Sequence, residues 1–229
     1  MSDTNRSAEG SVLTSAQTRA LAHVQSTAEQ HRQQMRKKSE HILAKAGATF
    51  VTVDDLLSMV TRHARITLNF HPDRLLPSGV TVVEGLLADG VYQSQFITAV
   101  SNGSPTAFPG GDRDCWEEKL FGGSYQSSRV QASERPKYGA LNLMDYADGA
   151  SPRFGSCYIR LRPHTLGRCT FTFGDSHTGP EHVGTIGCFE PVLEALLDSV
   201  AQSGEALGTP NMDVPSLVER LQLAAPAER

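Results

Sequence analysis

The spacing of apolar residues over the first part of the chain predicts a long helix. Apolar residues recur at intervals of three and four between positions 12 and 46, with glutamine and basic residues between them, and Gly47 ends the run. The apolar stripe is narrow and rich in alanine, which is typical of a helix packed on the outside of a domain. A second, shorter helix is predicted from about Val53 to His63, with Thr52 or Asp54 as its cap.

The stretch ITLNFHPDR, residues 66–74, changes the pattern from helix to strand. Ile66, Leu68 and Phe70 recur with period two, which predicts a half-buried strand. Pro72 has no N–H to give to a sheet, so the strand must end there. The end of the strand then carries three polar residues, His71, Asp73 and Arg74. Two interpretations stay open: a strand end that meets a ligand, and a turn whose His and Arg are ordinary surface residues.

The middle of the chain predicts a short helix followed by a long loop. Residues 81–89 have apolar positions on one helical face, and Gly90 ends them. Residues 90–131, called the lid segment below, are dense in glycine and polar residues, with one helical fragment predicted at 116–121. Because loops of this length are usually functional or disordered and this one contains six aromatic residues, we expect an ordered lid or pocket wall.

The last part of the chain predicts strands and then helices. The three alternating segments are Lys137–Met144, Gly155–Pro163 and Arg168–Ser176, and their close spacing suggests antiparallel neighbours. Two acidic helices follow, at about Phe189–Ser203 and Val214–Leu223, the second capped by Asp213. The predicted fold class is α+β, with a helical extension over residues 1–46 and an α+β domain over residues 47–229.

Charge is distributed unevenly along a chain of ordinary composition. The net charge is −4, but positions 19–45 carry six Lys or Arg against two Glu, and positions 171–229 carry two Arg against nine acidic residues. We therefore expect the basic first helix to contact the acidic last helices, and no nucleic-acid partner. The polar opening and the absence of an apolar run of about 18 residues predict neither a signal peptide nor a membrane partner. This indicates a cytoplasmic protein, with export as an effector left open.

Common catalytic and metal-binding motifs are absent from the sequence. It contains no nucleotide-binding loop, no GxGxxG after a strand and no GxSxG elbow. The four cysteines lack CxxC spacing, which favours reduced thiols used as small apolar residues, and Cys115 has no marker of a nucleophile. Four metal-ligand side chains fall in one region without a tight pair, so no metal site is predicted: His164, Asp175, His177 and His182.

Several segments, in order, resemble an uncharacterised bacterial family, domain of unknown function 3626. The resemblance covers roughly residues 67–197 and is carried by TLNFHPDR, DGVYQSQF, SNG, GGDRDCWEEKLFGGSY, ERPKYGALNLM, SPRFGSCYIRLRPHTLGRCTFTFGDS and GTIGCFEPVL. These segments are also similar to the ADP-ribosyltransferase toxin fold, with a first strand ending in His, a short helix ending in DG and later strands.

The second resemblance implies an NAD site. In that superfamily a first-strand His or Arg contacts the ribose or phosphate of NAD, a later Tyr or Ser lines the nicotinamide pocket, and a late Glu or Gln completes the site. It implies an ADP-ribosyltransferase-like, mostly antiparallel sheet with a long lid loop. The implied catalytic residues are His71 and Tyr138, and the implied cofactor-binding residues are Asp73, Arg74, Ser94, Gln95, Asn102 and Gly139.

Two departures from the pattern bear on activity. Ile97 stands where the family commonly has Glu, and the chain ends before a segment that resembles the superfamily's catalytic Glu motif. The expected function is therefore NAD binding with transfer of ADP-ribose to an unknown protein acceptor, in a truncated or degenerate, toxin-like copy. The alternative is a non-catalytic protein-binding module or toxin-associated partner on the same fold.

Overall fold

A computed structural model describes residues 12–100 and 106–224. The predicted first and second helices are confirmed: α1 is Ser15–Lys45 and α2 is Val53–His63. Both begin with a reciprocal cap, made by Thr14 with Gln17 and by Thr52 with Asp55. In each pair the threonine hydroxyl accepts from a backbone N–H while the longer side chain accepts from the threonine N–H, so two unpaired donors at the helix start are satisfied.

The predicted first strand, β1, is Ile66–Phe70 and forms the centre of a three-stranded antiparallel sheet. The neighbours are β2 (Ala140–Leu141) on one side and β3 (Cys157–Arg160) on the other. The prediction of a half-buried strand was wrong, because Thr67 and Asn69, on the supposed polar face, are buried as well. The cause is tertiary: residues 148–155 fold over that face, and Ala150 N donates to the Thr67 hydroxyl at 3.0 Å.

Where the structure describes the lid segment, residues 90–100 and 106–131, it contains two helices, whereas one was predicted. After α3 (Val82–Asp89) come α4 (Gln95–Thr98) and α5 (Asp112–Phe121). The two aromatic residues of α5 differ in burial. Phe121 is buried at 4% exposure, whereas Trp116 is only partly buried.

The later strands are antiparallel, but they do not pair with one another in sequence order. β2 and β3 both pair with β1, and β4 (Thr170–Thr172) pairs with β5 (Val183–Thr185) in a separate ribbon. A further short ribbon is formed by β6 (Glu205–Ala206) and β7 (Thr209–Pro210). Short 3-10 turns lie between the elements at Ala132–Glu134, Pro152–Phe154, Pro163–Arg168 and Ser176–Thr178.

Two C-terminal helices, α6 (Glu190–Ser203) and α7 (Val214–Leu223), complete the core as predicted, and Asp213 caps α7. The main core is formed by α2, β1, α6 and α7. The basic first helix packs against α6, where Arg32 lies 2.7 Å from Glu190 and Lys38 lies 3.6 Å from Glu194. The expected contact between the basic and acidic ends is therefore present.

The structure is a mixed α+β fold with small antiparallel sheets. In the part of the chain that the structure describes, no helix has the length and apolar character needed to cross a membrane. The division of the chain at residue 46 stays a prediction.

Candidate functional site

An open cleft of about 1270 Å³ begins at the end of the central sheet. The β1–β2 register pairs Thr67 with Ala140, so Tyr138 precedes β2 at the same sheet end at which His71 follows β1. The β1–β3 register brings Gly155 to this end too. A Cβ on Gly155 would lie 1.9 Å from the carbonyl carbon of Phe70, so only glycine lets β1 and the start of β3 approach this closely.

Five of the residues implied by the resemblance line the cleft: His71, Arg74, Gln95, Tyr138 and Gly139. His71 is exposed and Arg74 is half-buried. Gly139 also has a packing role, because a Cβ there would meet the carbonyl oxygen of Thr67 at 2.7 Å. The structure therefore brings the implied His and Tyr into one cavity.

Two of the three remaining implied residues, Asp73 and Ser94, do not line the cleft. Asp73 is exposed and does not line the cleft. Ser94 is buried, and its hydroxyl donates to the carbonyl oxygen of Ala132 at 2.6 Å, which is a structural contact. Asn102 lies outside the described residues.

A buried charged cluster binds the hydroxyl group of Tyr138. The phenolic hydroxyl donates to Glu117 at 2.9 Å, and Arg135 donates to the other Glu117 oxygen at 2.8 Å. Arg135 also pairs with Asp114 at 2.6 Å. Arg135 therefore forms ion pairs with two acidic residues of α5, Asp114 and Glu117.

Burial sets the protonation behaviour of this cluster. Glu117 is 1% exposed, and loss of water raises the pKa of its carboxyl above the usual range, although the Arg135 guanidinium opposes the shift. Burial also raises the pKa of Tyr138 well above its usual range, and the nearby Glu117 charge acts in the same direction. Tyr138 therefore stays a neutral hydrogen-bond donor, fixed in orientation by Glu117.

Four planar groups form a row along the cleft wall, in the order Tyr138, Arg113, Trp116 and His177. The Arg113 guanidinium carbon lies 4.7 Å from the centre of the Tyr138 ring and 5.5 Å from the centre of the Trp116 ring. The Trp116 and His177 ring centres are 5.6 Å apart. All four side chains line the same cleft. We call these four side chains the planar row below. Such alternation of rings and a guanidinium is favourable through cation–π attraction.

The far end of the planar row carries charge. His177 Nδ1 is 3.7 Å from Asp175 Oδ2, and Arg153 donates to Asp175 at 2.5 Å. Three carboxylates line the cleft: Asp89, Asp112 and Asp175. No group of three or more His, Cys, Asp or Glu side chains within residues 12–100 and 106–224 is arranged to hold a metal ion.

The planar row and the buried cluster were not predicted from the sequence. Arg113 and Trp116 lie one helical turn apart on α5, a spacing that placed them on one helix face but could not show what that face met. His177 is far away in sequence and comes close only through the fold. Two of the four thiols also differ from expectation, since Cys115 and Cys157 are exposed.

Comparison with known proteins identifies a family. A search of curated proteins finds no significant match. Residues 65–228 match the model of a family described as protein of unknown function (DUF3626), a match that begins just before β1 and includes the whole cleft wall described above. Since the match spans well over half of the chain, the protein belongs to this family.

Proposed function

We propose that the protein binds NAD in the cleft and acts as an ADP-ribosyltransferase-like protein on an unknown protein acceptor. The observation that carries the proposal is the planar row, which offers rings and a guanidinium along the wall of a cavity that His71 and Arg74 also line. NAD combines two planar rings, two riboses and a pyrophosphate, and these groups need stacking surfaces and cationic or hydroxyl-binding partners.

The size and lining of the cleft support a ligand of this size. Pockets for small ligands usually have volumes of about 300–1,000 Å³, and this cleft is somewhat larger. In this proposal, His71 bonds a ribose hydroxyl and Arg74 pairs with a phosphate oxygen. The neutral Tyr138 hydroxyl, held by Glu117, keeps its ring fixed against Arg113.

In the transfer step, the bond between ribose C1′ and the nicotinamide nitrogen breaks, and its electron pair leaves with the neutral nicotinamide. The acceptor atom then forms a bond to C1′ and loses its proton. The protein's part is to position the dinucleotide and to stabilise the positive charge that develops on the ribose. Asp112 and Asp175 are the carboxylates of the cleft nearest in sequence to the planar row.

Calorimetric titration of NAD into the full chain tests binding, and the chain's single tryptophan offers a second signal because it lies in the planar row. We expect heat of binding, a change in Trp116 fluorescence, and binding weakened by about 1–3 kcal/mol in His71→Ala. Arg74→Lys should also weaken binding, because lysine lacks the planar fork. If millimolar NAD produced no heat of binding and no stabilisation, the proposal would be refuted.

A second candidate function, a protein-binding module without transfer, is favoured by α3. No residue of α3 is buried, and apolar side chains on and beside it are exposed, namely Leu75, Val83, Leu87 and Val91. Both carboxylate oxygens of the buried Glu117 also accept hydrogen bonds from other residues of the protein, Arg135 and Tyr138. Nicotinamide release over hours supports an active transferase, and NAD binding without release indicates a degenerate transferase. Absence of NAD binding supports the module.

A further inference from the structure

Residues 71–91, called the flap below, begin after Phe70, the last residue of β1, and end before Tyr92. The ring centres of Phe70 and Tyr92 lie 6.5 Å apart in an edge-to-face contact, and Tyr92 packs against the main core. The two ends of the flap are therefore side by side on a fixed base. A segment attached in this way can move as one body, because its connection to the rest of the protein is confined to one place.

Hydrogen bonds within the flap hold it together. The backbone N–H of Val82 donates to the carbonyl oxygen of Arg74 at 2.8 Å, which joins the first half of the flap to the start of α3. Helix α3 begins with a reciprocal cap between Thr81 and Glu84. The flap is thus a folded unit and not an irregular loop.

The flap is held to the body of the protein by little apolar burial. No residue of α3 is buried, although four of its eight residues are valine or leucine. In α6, by contrast, nine residues are buried. Segments with few buried apolar contacts open locally at a free energy well below that of global unfolding. We therefore expect the flap to open far more readily than α6.

One face of the flap lines the cleft and the other faces away from it. Leu76, Val82 and Leu86 are half-buried and line the cleft. Leu87, the neighbour of Leu86, is 80% exposed and does not line it. The flap therefore presents half-buried apolar side chains to whatever the cleft binds.

We propose that the flap closes onto the dinucleotide bound in the cleft, an inference that rests on the proposed NAD binding. The open cleft has a volume of about 1270 Å³, above the range of about 300–1,000 Å³ usual for small ligands, so the flap has room to move inward. His71 and Arg74, the residues proposed to contact ribose and phosphate, belong to the flap. Their contacts with the ligand stabilise the closed form, and Val82 and Leu86 lose contact with water against it.

Hydrogen–deuterium exchange on the full chain tests the flap in two steps. Without ligand, the backbone amides of α3 should exchange through local opening, at least about tenfold faster than those in the middle of α6. With saturating NAD, the α3 amides should exchange at least about tenfold more slowly than in the free protein, because the closed form is then favoured. A rigid cleft wall would bind NAD without this change.

Two adjacent leucines provide a matched pair of variants. Leu86→Ser should weaken NAD binding about tenfold and reduce the slowing of α3 exchange, because Leu86 lines the cleft. Leu87→Ser is the control: it makes the same change on the same helix, at a side chain that does not line the cleft, and should leave both measurements unchanged. Neither leucine is buried, so both variants should fold, and thermal melting checks this.

The outcomes separate the flap from the NAD proposal. If the α3 amides of the free protein exchange as slowly as those of α6, the flap is overturned whatever NAD does. NAD binding that leaves α3 exchange unchanged would overturn closure and leave the NAD proposal standing. Equal weakening by the two leucine variants would overturn the role of the cleft face. Failure of the wild-type protein to bind NAD would overturn both proposals.

Discussion

Tyr138 donates a hydrogen bond of 2.9 Å to Glu117, and this bond joins the end of the central sheet to helix α5 of the lid segment. Glu117 is almost fully buried and accepts a second bond from Arg135. One buried carboxylate thus fixes the cleft residue Tyr138, the lid helix and the segment between them. The lid is ordered by polar contacts as much as by its aromatic residues.

Removing this carboxylate should destabilise the protein strongly. Glu117→Ala leaves the Arg135 charge and the Tyr138 hydroxyl without their buried partner, and we expect a loss of about 3–5 kcal/mol in the free energy of unfolding. Glu117→Gln retains an acceptor for Tyr138 and should cost less. Urea unfolding at neutral pH measures both, and a loss below about 1 kcal/mol in Glu117→Ala would show that the cluster is not a structural anchor.

The two aromatic residues of α5 should differ in their contribution to stability. Phe121 is 4% exposed and its ring lies 5.3 Å from that of Tyr125, so Phe121→Ala should cost about 3–5 kcal/mol. Trp116 is partly exposed in the cleft wall, so Trp116→Ala should cost less than Phe121→Ala. Denaturant unfolding of the two variants gives the order, and the reverse order would contradict the packing described here.

The close approach at the cleft depends on Gly155. Its φ is 142°, and an added Cβ would collide with the Phe70 backbone, so Gly155→Ala should destabilise by more than about 1 kcal/mol. Gly174→Ala is the control, because Gly174 also has a positive φ, of 79°, but has open space around its Cβ position. The Gly174→Ala variant should therefore lose stability through backbone strain alone. Thermal melting should show a clearly larger loss for Gly155→Ala.

The contact between α1 and α6 should matter for stability. Arg32 is the hydrogen-bond partner of Glu190, whose carboxylate is 1% exposed. Arg32→Ala leaves a buried charge without that partner, and we expect a loss of about 1.5–3 kcal/mol. Deletion of residues 1–46 should lower the melting temperature further, because it exposes the apolar surface under α1 as well. An unchanged melting temperature after the deletion would contradict the docking of this helix.

Helix caps should make the protein sensitive to acid. Hydrogen bonds from the capped residues lower the pKa of Asp55, Glu84 and Asp213. Because these values are lower in the folded than in the unfolded state, the stabilisation is fully present above the unfolded pKa of about 4 and is lost as the pH falls. We expect the melting temperature to decrease as the pH is lowered past about 4. In Asp55→Asn the melting temperature should already be lower at neutral pH, and it should decrease less steeply in acid.

The sequence by itself determined the two helices at each end of the chain, the starts of α2 and α7, and the first strand. α1, α2, α6 and α7 follow from apolar spacing and local stop signals, because amphipathic periodicity and capping residues act within a few positions of one another. The end of β1 at Phe70 followed from Pro72, a local property of the backbone. The association of the basic first helix with an acidic last helix also followed, since charge asymmetry can be read from composition.

Tertiary structure alone decided the strand pairing, the burial of both faces of β1 and the cleft wall. Strands of two to five residues can pair in many ways, and the choice depends on which segments cover each face. Arg113 and His177 come into one planar row with Trp116 between them only because α5 packs against the 3-10 turn at Ser176–Thr178. Glu117 likewise gains its raised pKa from burial by distant residues, and no local pattern in the sequence determines burial of that kind.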